Sequence, residues 1–178
     1  MRASQIFSLL LLATTFLAGC VTVTFPEPMP FNRRDKATFP KSWQGVWHSA
    51  DNEGSTDVLL VTAQYISVDD EKYILGSENR LRKFSGYYIL SSKEESTGRW
   101  MLYLAKRNMD VLSVYQFDGE DELKAKIWAE VLGEDIDIVR KDTEGGKVSG
   151  YRLNPKNNAM FRQLIAEGGL SLVGEFVR

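Results

Sequence analysis

Residues 84–117 read FSGYYILSSKEESTGRWMLYLAKRNMDVLSVYQF, and the pattern of apolar residues within them decides the fold. β-Branched and aromatic residues dominate three runs, 84–91, 100–106 and 111–117, which predicts three strands. Asn108-Met109-Asp110 supplies a turn between the last two, so neighbouring strands should pair as antiparallel hairpins. Tyr87-Tyr88-Ile89-Leu90 and Trp100-Met101-Leu102-Tyr103-Leu104 are apolar at consecutive positions, and successive strand residues point to opposite faces. Both faces of this sheet must therefore be covered. One can line an interior; the other needs a helix, the N-terminal segment or a partner, because large exposed apolar patches are unusual.

The same punctuation extends in both directions. Strands are expected at 43–49, 58–68, 123–131, 136–140, 148–153 and 170–177, with turns at Asp51-Asn52-Glu53-Gly54, Asp118-Gly119-Glu120-Asp121 and Glu144-Gly145-Gly146. In 123–131 the residues Leu123, Ala125, Ile127, Ala129 and Val131 alternate with Lys124, Lys126, Trp128 and Glu130, which fits a strand better than a helix. One helix is expected around 160–167, with Asn154 as N-cap, Pro155 in the first turn and Gly168-Gly169 at its end. The fold class is mainly β: a closed or nearly closed antiparallel barrel, or a sandwich, with one C-terminal helix over residues 41–178.

The chain has 178 residues, a net charge of −2 and a single cysteine, Cys20. Mild acidity argues against a nucleic-acid partner, which wants a basic face. Met1 and Arg2 precede a short apolar run that includes Leu9 to Leu12, and small residues follow, which is the secretory signal pattern over residues 1–19. Leu17-Ala18-Gly19-Cys20 resembles the lipobox of bacterial lipoproteins. The resemblance implies cleavage before Cys20, diacylglycerol on its sulfur and acylation of the new amine, and multiple chains anchor firmly where one would not. The alternatives are an ordinary secretory peptide or a free thiol. Val21 after the cysteine implies sorting to the outer membrane, with the domain at its periplasmic face and attachment through lipid. Pro26, Pro28, Pro30 and Pro40 make residues 20–40 read as a semi-rigid tether between lipid and domain.

Gly45-Val46-Trp47, early in the domain, is similar to the Gly-x-Trp strand of the lipocalin and calycin family. That resemblance implies a barrel whose floor this strand closes, a late helix packed on its wall and a small hydrophobic ligand inside. Trp43, Trp47, Trp100 and Trp128 with Tyr87, Tyr88, Tyr103 and Tyr115 could line such a lumen, and five of them are singled out as candidates: Trp47, Trp100, Tyr103, Tyr115 and Trp128. The same rings would serve equally as core.

Residues with catalytic chemistry are sparse. His48 is the one histidine, with no evident nucleophile or second ligand. The clusters Asp69-Asp70-Glu71, Glu94-Glu95, Glu120-Asp121-Glu122 and Glu134-Asp135 lack calcium-loop spacing and read as solvated turns. Glu144-Gly145-Gly146-Lys147-Val148 lacks the spacing of a phosphate loop. No catalytic residue, metal or cofactor is expected. The leading expectation is a lipid-anchored, non-catalytic binding or interaction module with an envelope protein as partner. The alternatives are a lipocalin-like carrier of a small apolar ligand and an envelope enzyme of unknown reaction. A filled interior favours the module and a hollow one the carrier.

Overall fold

The computed structural model describes residues 21–50, 58–68, 71–141 and 146–178. Cys20, residues 1–19 and the expected turn at 51–54 lie outside the described residues, as does most of the expected turn at 144–146. The chain begins with β1 (Thr22–Thr24) and reaches a short 3-10 turn, Lys41–Trp43. Eight strands follow: β2 (Gly45–Ser49), β3 (Val58–Val61), β4 (Tyr65–Val68), β5 (Glu71–Ile74), β6 (Asn79–Phe84), β7 (Tyr87–Lys93), β8 (Trp100–Asn108) and β9 (Val111–Gln116). Helix α1 (Glu122–Leu132), strands β10 (Ile136–Arg140) and β11 (Val148–Leu153), helix α2 (Asn158–Ala166) and β12 (Ser171–Val177) complete it.

The protein is mainly β. Nine strands form one nearly closed, barrel-like antiparallel sheet in the order β5-β4-β3-β2-β12-β9-β8-β7-β6. An odd number of mutually antiparallel strands leaves the two edges, β5 and β6, pointing the same way. Residues 75–78 link them, whereas a parallel crossover needs about a dozen residues, so no ladder can close the barrel there. That seam is flanked by the N-terminal segment: the Lys36 amide donates to the Leu81 carbonyl on β6 at 2.7 Å. The expected strand 58–68 is two strands, because Thr62 Oγ1 accepts from the amides of Gln64 and Tyr65 and turns the chain back.

Alternation across the barrel wall separates two cores. Leu81, Leu90 and Leu112 point inward with Trp47, Leu59 and Val61. Phe84, Ile89, Leu102 and Leu104 point outward and are covered by a second layer, the small sheet β1-β11-β10 and both helices, through Phe25, Trp128, Leu153, Phe161 and Leu164. Consecutive apolar residues on β7 and β8 thus have a partner on each side.

Three expectations are corrected. The segment 123–131 is helical, not a strand: Asp121 caps α1 by accepting from the amides of Leu123 and Lys124, and Trp128 and Leu132 reach the outer core while Leu123 stands 69 % exposed. Trp128 Nε1 donates to the Gly169 carbonyl at 2.8 Å. A Cβ on Gly169 would lie 2.5 Å from the Leu164 carbonyl oxygen, so the chain after α2 needs glycine there. Second, α2 is capped by Asn157, which accepts from the Met160 amide; Asn154 instead accepts from Arg99 and donates to Asp137. Third, residues 21–40 are no tether. β1 pairs in parallel with β11, Phe25 and Met29 are wholly buried, and Phe39 enters the barrel core. Arg82 holds this strap, donating to the Pro28 carbonyl at 2.6 Å, the Pro30 carbonyl at 2.8 Å and Asp35 Oδ1 at 2.7 Å.

Candidate ligand-binding site

The barrel is hollow. Its cavity has a volume of about 550 Å³, within the range of about 300–1,000 Å³ typical of small-molecule sites. Leu59, Val61, Ile66, Leu81, Leu90, Leu112 and Phe176 supply apolar walls, and Trp43, Tyr73, Tyr88 and Tyr103 supply rings. The space has a local cause. The ladder registers Tyr88 with Ala105, Ala105 with Val114 and Val114 with Gly174, so small side chains meet in one row across β8, β9 and β12.

The end formed by the 3-10 turn is closed by buried Phe39 and Trp43, with Trp47 beside them. Trp47 Nε1 donates to the Trp43 carbonyl at 2.7 Å. Two guanidinium groups lie over the Trp47 ring, that of Arg178 at 4.4 Å from its centroid and that of Arg107 at 5.5 Å. Each also donates to a carbonyl of the turn region, Arg178 to Gln44 and Arg107 to Ser42. Gly45 adopts a φ of 134°, a backbone conformation that strains any residue with a Cβ, and a Cβ there would lie 3.3 Å from Arg178 Nη2 and push the guanidinium by a few tenths of an ångström.

The opposite end is the mouth. Of the lining residues, Glu71 and Val173 are the exposed ones, at the start of β5 and in the irregular first half of β12. Among the described residues, Glu71 is also the one charged residue of the lining. The Tyr73 hydroxyl donates to Glu71 Oε2 at 2.5 Å, and the rings of Tyr73 and Tyr103 meet edge to face at 5.7 Å. Burial first, then the hydrogen bonds to Glu71 and Tyr103, push the Tyr73 hydroxyl well above its ordinary pKa, so it stays a neutral donor.

Of the five aromatic residues singled out in the sequence, Tyr103 lines the cavity and Trp47 belongs to the inner core beside it. The other three do not border it. Tyr115 registers with Leu104 on the outer face and packs on Tyr87 at 5.7 Å; Trp100 starts β8 on that face, bridged to Phe25; Trp128 is on α1 in the outer core. The sequence reading counted Trp43 and Tyr88 among the rings that could line a lumen without singling them out, took Glu71 for part of a solvated turn, and missed Tyr73. The signal for Tyr88 was parity, since it shares a strand face with Leu90, but Tyr73 and Glu71 belong to a short strand that no pattern marked. His48 is exposed on the outside of β2.

Among the described residues, no group of His, Cys, Asp and Glu is placed to hold a metal ion, and no helix is long and apolar enough to cross a membrane. Set against family models, curated proteins and solved structures, the chain matches none of them.

Proposed function

We propose that the protein is a lipid-anchored envelope carrier that takes a small apolar ligand into its barrel. The hollow, apolar interior carries this reading and moves it ahead of the interaction module, for which a filled core was the expectation. The position of Gly45-Val46-Trp47 at the closed end, where Trp47 Nε1 donates to the Trp43 carbonyl, supports the lipocalin-like comparison. The placement of Val21 and Phe25 supports the membrane connection. Val21 lies against Gly119, just past the end of β9, and Phe25 bridges to Trp100 at the start of β8; both strand ends lie toward the mouth of the cavity. From Cys20 to β1 the chain spans about 7 Å at most, so lipid on Cys20 would hold the mouth end at the bilayer.

Two results are expected. The full chain with Cys20→Ser should leave the membrane fraction and remain folded, whereas the unsubstituted chain stays with membranes. In that soluble variant a neutral apolar fluorophore, N-phenyl-1-naphthylamine, should bind saturably at about micromolar concentration. Adding Ala105→Trp, which fills the small-residue row, should abolish that binding with the circular dichroism spectrum unchanged. Binding that survives the filled cavity would place the probe elsewhere and remove the carrier reading.

A further inference from the structure

We infer that the ligand of this cavity carries a protonated amine on an apolar body and is not a fatty-acid-like carboxylate, an inference that rests on the carrier reading. Among the described residues, the lining contains no lysine, arginine or histidine, and its one charge is the Glu71 carboxylate at the mouth. The cations close by are committed to other contacts. Arg107 and Arg178 are held to backbone carbonyls at the closed end. Lys72 is turned to the outer face, its ammonium 3.9 Å from the Tyr65 ring centroid. Lys83 is exposed and lies over the Tyr88 ring at 5.4 Å without joining the lining. A carboxylate entering the mouth would lose hydration, find no cation and face a like charge.

An ammonium group meets the opposite situation. Tyr73 uses one lone pair of Glu71 Oε2, and the remaining acceptor capacity of that carboxylate points a charge-assisted bond at any donor in the mouth. The rings of Tyr73 and Tyr103 beside it offer π faces to a cation. Because Tyr73 holds its proton, the pair remains a single negative charge and does not switch to two. Glu71 is exposed while Leu59, Leu81, Leu90 and Leu112 are buried behind it. The head would therefore stay at the wet rim with its tail in the barrel.

The test displaces N-phenyl-1-naphthylamine from the full chain carrying Cys20→Ser, using dodecylamine, dodecanol and dodecanoate below their micellar concentrations at neutral pH. Dodecylamine should bind about tenfold or more tightly than dodecanoate, and the difference should shrink with added salt, since the rim is solvent-exposed. Glu71→Gln should weaken dodecylamine by about tenfold and dodecanol by much less. Dodecanoate binding as tightly as the amine, or an amine preference that survives Glu71→Gln, overturns the head-group assignment and leaves the carrier reading standing. Failure of the fluorophore and all three amphiphiles to bind overturns both.

Discussion

A chain shortened to begin at Lys41 is expected not to fold cooperatively. The deletion removes Val23, Phe25, Met29 and Phe39, all buried, and Phe25 and Met29 completely so. At about 1.5–3 kcal/mol for each fully buried apolar side chain, their loss withdraws roughly 6–12 kcal/mol, against a total stability of about 5–15 kcal/mol for a typical domain. Polar losses add to this. Arg82 is 8 % exposed and would keep its charge without Asp35 or the carbonyls of Pro28 and Pro30. Phe25 also packs edge to face on Phe117 at 4.9 Å and on Phe161 at 5.8 Å, so both helices' layer would lose its centre. Urea unfolding followed by far-UV circular dichroism, comparing chains that begin at Val21 and at Lys41, checks this. A sigmoidal transition of the shorter chain within about 2 kcal/mol of the longer one would show that the strap is dispensable.

The tether reading failed for a definable reason. Proline density at Pro26, Pro28 and Pro30 signals a segment outside helix and ladder, and residues 26–32 are indeed bends and a turn, but irregular backbone does not decide whether a segment is solvated. Phe25, Met29, Phe31 and Phe39, set between the prolines, were the contrary signal, since a spacer has no use for them. The amides that the prolines leave are satisfied one at a time by distant partners, Met29 by Ser91 Oγ at 3.2 Å and Phe31 by Asn158 Oδ1 at 2.7 Å, and no local pattern reveals such pairings. The antiparallel strands were legible because runs of β-branched and aromatic residues and the turns between them fix β7, β8 and β9 locally. Helix α1 was not: its alanines and its lysine and glutamate side chains suit a helix, yet the alternation of Leu123, Ala125 and Ile127 imitates a strand, and only Asp121 at the cap broke the tie. The hollow interior was beyond sequence reading, because it depends on Ala105, Val114 and Gly174 falling in one ladder row from three separate parts of the chain.

Replacing Trp47 by alanine is expected to cost about 3–5 kcal/mol, the range for deleting a fully buried aromatic side chain. In a domain of this size that corresponds to a fall in melting temperature of roughly 6–20 °C. Three losses combine. The ring's volume leaves a void at the closed end of the barrel, the Trp43 carbonyl loses the indole N–H, and the guanidinium groups of Arg178 and Arg107 lose the ring they lie over. Trp47→Phe separates these effects: a ring remains for packing, so the cost should drop to about 1–3 kcal/mol, mostly from the unpaired carbonyl. The stacking contribution is isolated by a double-mutant cycle between Trp47→Leu, which removes the aromatic face, and Arg178→Gln, with a coupling of about 0.5–1 kcal/mol expected for a cation over an aromatic face. A Trp47→Ala protein that melts within about 2 °C of the unsubstituted chain would show that the barrel end is closed by Phe39 and Trp43 alone, and that the guanidinium groups hold the 3-10 turn without the indole between them.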